Sequence, residues 1–228
     1  MEKAGSGSFS PKIPSKSKKT LPKKPRSEAD RRTRAKMSLL ERALLERALL
    51  KQGVVNFFSS KDAFRCLSNF WECEVVVDGR IYESGEHAFH GEKYTRLGAL
   101  AEPTRQSALL DYGGAFRRPS PYKTGAIAKR MGGKRGMMLS GVELGQWESL
   151  SMRVQLEICE WKLQHHAMVR ADLLSSRGKI LIHPALRCSE AKLGSRIWEG
   201  RGVVQDGRIV VLGRNELGRM WMQLRDDV

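Results

Sequence analysis

Residues 74 to 93 leave little freedom in how they can fold. The run from Glu74 to Tyr82 is strand-like, with an Asp78-Gly79 turn inside it. The segment that follows, through Lys93, reads as a helix with Ser84 placed to cap it. On that helix Glu86, His90 and Lys93 fall at i, i+4 and i+7 and share one face, with Phe89 on the same side. A carboxylate, an imidazole and an ammonium on one stripe suit a polar pocket better than a core. Glu86 stands in the first turn, where the helix dipole favours its ionised form and backbone donors can hold an anion.

The rest of the chain reads as further helices and short strands. Val54 to Phe58, Lys179 to Ile182 and Ile209 to Leu212 are expected strands. Val203-Val204 and Ile209-Val210-Val211 flank a second hairpin signal, Gln205-Asp206-Gly207-Arg208. Residues 97 to 111 are an expected helix, with Pro103 opening its later part. Trp147 to His166 is the clearest helix, with Leu150, Val154, Ile158, Trp161 and His165 along a core face. A last helix is expected from Leu217 to Arg225. Tyr112 to Gly125 carries tandem glycines, Arg117-Arg118 and two prolines, and is a loop, read either as a phosphate-binding segment or as an ordinary insertion. The class is therefore α+β, one mainly helical domain with a few short strands.

Charge separates the N-terminus from this domain. Residues 1–36 hold twelve Lys or Arg and three acids, a net +9 of the chain's +16. With Ser, Pro and Gly and few large apolar residues, that tail is expected to be disordered. Its Lys-rich runs resemble a nuclear-import or nucleic-acid-binding patch, and a solvated tail is the plainer alternative. Residues 37–52 repeat Leu-Leu-Glu-Arg-Ala and are expected to form a helical extension, with Leu40, Leu44 and Ala48 as its stripe. The domain proper is expected over 53–228. Cys66, Cys73, Cys159 and Cys188 lack zinc-ligand spacing, so reduced bystander thiols are expected. No apolar run is long enough to span a bilayer and no signal-peptide pattern is present. The expected setting is intracellular, cytoplasmic or nuclear, without a membrane partner.

Three blocks together carry a family likeness: Phe64 to Trp71 (Phe-Arg-Cys-Leu-Ser-Asn-Phe-Trp), Tyr82 to Lys93, and Leu212 to Arg219 followed by Met222 and Arg225. In this order and spacing they resemble the NADAR family, the YbiA-like N-glycosidases, over about residues 54 to 228. Lys129 and Trp147 also sit where that family tends to have Lys and Trp. There are departures. Ser195 and Glu199 stand where the family usually has an acid and a glycine, around Trp198, and His183 replaces a glutamate.

The resemblance implies cleavage of an N-glycosidic bond. Substrates of the family include ribosylamino-pyrimidine phosphates and ADP-ribose attached to guanine in nucleic acid. Such a bond leaves a sugar of oxocarbenium character, which a carboxylate can stabilise while it also deprotonates water. Glu86 is the catalytic candidate. Lys93, Lys129, Arg214 and Arg219 are candidates for phosphate, with His90 beside them. Trp147 and Trp198, and less so Trp71, are candidates for base stacking. Asn69 and Asn215 are candidates for ribose or base edges, or else turn residues. Glu86-His87-x-x-His90 lacks the His-Glu-x-x-His order of zinc helices, so no metal and no cofactor is expected. Two functions stay open: an N-glycosidase on a ribosylated or ADP-ribosylated base, and a catalytically weakened module that binds ADP-ribose or nucleic acid. Retention of Glu86 favours the first and Ser195 the second.

Overall fold

The computed structural model describes residues 44, 47–49, 51, 53–58, 63–186, 188–206 and 208–228. The basic tail and Leu40 lie outside them. Among the described residues the strands form three two-stranded sheets around a set of helices. Strand β1 (Val54–Asn56) pairs in parallel with β4 (Ile180–Ile182), Val54 opposite Ile180. Strands β2 (Glu72–Val77) and β3 (Arg80–Ser84) form an antiparallel hairpin. Asp78 and Gly79 at its tip both have positive φ, 47° and 73°, the geometry a two-residue hairpin turn needs. The alternation holds: Val75, Val77, Tyr82 and Ser84 point inward. Strands β5 (Arg201–Gln205) and β6 (Arg208–Leu212) make the second expected hairpin.

Helix α1 (Gly85–Leu100) follows β3 directly, and Ser84 caps it by accepting from the His87 N–H. Helix α2 (Pro103–Gly114) begins where Pro103 breaks the chain, so residues 97–111 divide between two helices. Helices α3 (Gly125–Gly132) and α5 (Ala167–Ser175) were not expected from the sequence. Helix α4 (Gly141–His165) starts six residues before Trp147, at a capping box in which Ser140 and Glu143 satisfy each other's backbone donors. Its buried face carries Ser151, Val154, Gln155, Ile158, Cys159, Lys162 and Leu163. His165, assigned to that face from periodicity, is exposed and stacks on Trp161. Helix α6 (Glu216–Asp226) closes the chain.

The helical extension is represented by Leu44, Arg47–Leu49 and Lys51, all helical. Its stripe differs from the one expected. Leu44 and Ala48 are exposed, whereas Leu49 is buried against Val54 and Ile182, because the helix meets the β1–β4 pair on that side.

Among the described residues the two largest of four apolar clusters meet in the domain. One surrounds α1 and includes Tyr82, Phe89, Tyr94, Leu97 and Phe116; the other includes Phe57, Leu67, Leu173, Leu181 and Trp221. Helix α4 supplies both, through Val154 and Ile158 to the first and Cys159 and Leu163 to the second. Trp198 packs on both, at their seam. The loop from Ala115 to Thr124 is tied to the β2–β3 hairpin: the Arg118 N–H donates to the Ile81 carbonyl at 2.9 Å and its side chain pairs with Glu74 at 3.0 Å.

The closing block has a packing logic. Gly213 and Asn215 have positive φ, 84° and 49°, and turn the chain into α6. Gly218 then lies so close to β4 that a Cβ there would stand 2.3 Å from the Leu181 carbonyl oxygen. That oxygen is backbone and cannot swing away. Gly218→Ala is expected to destabilise the fold by about 1–3 kcal/mol, seen as a lower urea midpoint at unchanged slope.

Candidate functional site

Nearly all of α1 from Gly85 to Gly98 is buried, including Glu86, His87, His90, Glu92 and Lys93. Buried charge is tolerated only where it is paired, so each of these should have a partner, and the partners define the site. His87 faces away from His90: its ring meets Ser84 Oγ at 2.8 Å and the Tyr122 carbonyl at 2.5 Å. Glu92 turns to Arg80, Tyr82 and Arg96. Glu86 and His90 turn to one another, with His90 Nε2 3.3 Å from Glu86 Oε1.

Three elements hold Glu86 in place. The Glu86 N–H donates to the Asn69 carbonyl at 2.9 Å. Asn69 is itself fixed by a reciprocal amide pair with Gln155, at 2.7 and 3.2 Å. The turn before Asn69 is anchored from the core, where the buried Lys162 Nζ donates to the Ser68 carbonyl and Trp221 Nε1 to the Leu67 carbonyl, both at 2.9 Å. The start of α3 lies over Glu86, since a Cβ on Gly125 would come within 3.4 Å of the Glu86 Cβ. At the other end of α3, Gly132 packs directly on the His90 ring and its carbonyl accepts from Lys93 Nζ.

The electrostatics follow from this packing. Burial alone would raise the Glu86 carboxyl. The hydrogen bond from His90 and the positive charge of Lys129 outweigh it and hold the group below its ordinary value. Burial lowers His90, against the pull of Glu86. The pair is therefore an anionic carboxylate receiving a bond from a neutral imidazole, whose Nδ1 has no partner among the described residues. Burial also brings Lys93 down to about 8.

Aromatic and charged side chains stand around this pair. Phe89 stands edge-on between Trp147 and Trp198, at centroid distances of 5.0 and 5.4 Å. Lys129, on the second turn of α3, reaches over the Phe70 ring at 5.2 Å and lies 3.9 Å from Glu199 Oε1. Glu199 also meets Arg196 at 3.6 Å. Ser195, by contrast, is exposed, and its hydroxyl donates to the Lys192 carbonyl.

The candidates from sequence thus divide. Glu86, His90, Lys129, Trp147 and Trp198 come together. Lys93 lies behind His90, under the end of α3. Asn69 sits beneath the first turn of α1 with its amide committed to Gln155. Asn215 is buried and clasps β4, accepting from the His183 N–H at 3.0 Å and donating to the Leu181 carbonyl at 2.9 Å. Arg214 turns its guanidinium to Glu216 on the exposed surface, Arg219 is exposed, and Trp71 meets His166 edge-on.

Sequence reasoning missed His183 as a site residue. It follows β4, stacks on Phe57 at 5.6 Å, and lies in the fields of Glu86 and Lys129. Nothing local signals it, because its neighbours in the site are distant in sequence. Burial pushes its ring down to about 4 from an ordinary 6.5. The unfolded chain therefore takes up this proton near pH 6.5, the folded chain only near pH 4. Its contribution to stability is complete above pH 6.5 and is lost as pH falls toward 4. That loss amounts to about 3 kcal/mol. His183→Phe is expected to flatten this acid limb in urea midpoints measured between pH 7 and pH 4.

Comparison with known proteins matches residues 56–228 to the model of the NADAR domain. The N-glycosidase YbiA of Shigella boydii serotype 4 (strain Sb227) is 28% identical over 175 residues, 77% of this chain and 88% of that protein. The N-glycosidase YbiA of Escherichia coli (strain K12) is also 28% identical over the same shares of both chains. The NMR structure of the E. coli protein YbiA aligns with a TM-score of 0.49 at 24% identity, over 76% of this chain and 83% of that one.

Proposed function

Because this chain belongs to the NADAR domain family, we propose that it is an N-glycosidase hydrolysing the bond between ribose and a base. The substrate is a ribosylamino-pyrimidine phosphate or ADP-ribose carried on a nucleobase. The observation that carries this reading is the buried Glu86 carboxylate, kept anionic against desolvation by the His90 hydrogen bond and Lys129. A carboxylate so placed does two things. It stabilises positive charge at C1′ as the bond to the base breaks, and it takes a proton from the water that adds there. The base leaves with the bonding electron pair and gains a proton; the hydroxyl ends on the sugar.

The other groups fit the same substrate. Trp147 and Trp198 offer surfaces for a flat base. Lys129 provides a point charge for phosphate, with Glu199 as the group a phosphate would displace.

The test is mass-spectrometric detection of free base and ADP-ribose released from a panel holding both substrate types. Release of base supports hydrolysis, and its distribution over the panel identifies the leaving group. Binding of ADP-ribose without release from any member replaces the enzyme with a binding module.

A further inference from the structure

His183 is buried, with 6% of its surface exposed, yet neither ring nitrogen has a hydrogen-bond partner among the described residues. The Trp198 carbonyl lies near enough to favour a proton on the ring without completing a bond of good geometry. An imidazole without protein partners in such a place is costly, and its nitrogens call for a partner that the described residues do not supply. The ring is not loose. It stacks on Phe57 at 5.6 Å and Phe58 at 6.3 Å, and the Asn215 clasp fixes its backbone. Phe58 in turn meets Phe70 at 5.9 Å, and Lys129 reaches over Phe70, which places the ring beside the candidate site.

We infer that His183 contacts the neutral nucleoside part of the ligand, through one ring N–H that donates and one ring nitrogen that accepts. This rests on the N-glycosidase reading for the identity of the site, and adds to it the residue that reads the uncharged half of the substrate. The chemistry selects that half. A neutral imidazole offers one donor and one acceptor. Adjacent ribose hydroxyls, or the amide-like edge of a base, complement both at once. A phosphate, which at neutral pH mainly accepts, would satisfy only one, and Lys129 already serves negative charge. The ring is neutral at pH 7 because burial keeps its protonated form unfavourable.

The experiment uses the full chain labelled with 15N-histidine, which carries five histidines to resolve. ADP-ribose, ribose 5-phosphate, adenine and cytosine are each titrated to millimolar concentration, and the His183 ring nitrogens are followed by long-range proton–nitrogen spectra. A His183 shift with ADP-ribose and ribose 5-phosphate assigns the contact to the sugar. A shift with adenine or cytosine assigns it to the base. His183→Phe keeps the stacking and removes both bonds, and is expected to weaken the responsive probe at least about tenfold. The exposed control His165→Ala should stay within about twofold of wild type. Unmoved ring signals with every probe, or equal affinity in His183→Phe, overturns the inference. Wild-type turnover with a silent His183 refutes this contact and leaves the N-glycosidase standing. A responsive His183 without base release does the reverse.

Discussion

Glu86→Gln is expected to reduce base release at least about 100-fold in a protein that still folds. The amide matches the carboxylate in size, so the packing of Gly125 above it and the Asn69 carbonyl bond at its N–H are retained. What disappears is the charge. That charge is opposed by burial and sustained by the His90 hydrogen bond and by Lys129, so the site holds an anion ready before substrate arrives. An anion matters most when positive charge develops on the sugar, so kcat should fall far more than KM rises. The pH profile gives an independent check. The carboxyl is held below its ordinary value of 4.5, so the wild-type acid limb should lie below that pH and activity should fall only as the group protonates there. A folded Gln variant with near-normal turnover would remove Glu86 from the mechanism.

The elements that locate Glu86 are legible because they are local. Asp78-Gly79 admits few turns, and Ser84 can cap the helix within three residues of itself. The stripe of Glu86 and His90 follows from helical spacing alone. What escapes sequence reading depends on distance or on brevity. Helix α3, eight residues bounded by glycines, is too short to show a period, yet it brings Lys129 to the site. The start of α4 carries glycines at 141 and 145 and lacks an apolar stripe, although Ser140-x-x-Glu143 is a readable signal for it. Lys162 interrupts an apolar face with a charge. Its role appears only when Ser68, 94 residues away, is brought beneath it. Asn215 reads in sequence as a ligand or turn residue, and the structure shows what its amide does in the fold: it holds β4 where His183 begins. Arg214, a phosphate candidate by type, takes a nearby partner in Glu216 instead.

Glu92→Gln is expected to cost about 3–5 kcal/mol, a larger stability loss than that expected of Gly218→Ala. Glu92 has no exposed side-chain surface. It receives Arg80 through both oxygens at 2.7 and 2.8 Å, the Tyr82 hydroxyl at 2.7 Å and Arg96 at 3.1 Å. Arg96 continues to Glu157 on α4 and to Asp78 at the hairpin tip. One carboxylate thus joins β3, α1 and α4, and α1 is the helix that positions Glu86 nearly two turns upstream. The amide keeps the volume but removes the one fully buried counter-charge that Arg80 and Arg96 share, leaving them the 60% exposed Asp78, and it can accept at only one of the two atoms that now accept. Burial and the neighbouring Glu92 carboxylate both raise the Tyr82 hydroxyl, so that bond is donated at every pH at which the fold is tested. Glu157→Gln is the matched control. Its side chain is 25% exposed, and loss of charge there is expected to cost less than about 1 kcal/mol. In a chain of this size the Glu92 change should lower the melting temperature by roughly 6–20 °C. A Glu92→Gln protein as stable as the Glu157 control would mean that the ring of charges does not hold α1, and that apolar packing and the Asn69 bond suffice to keep Glu86 in position.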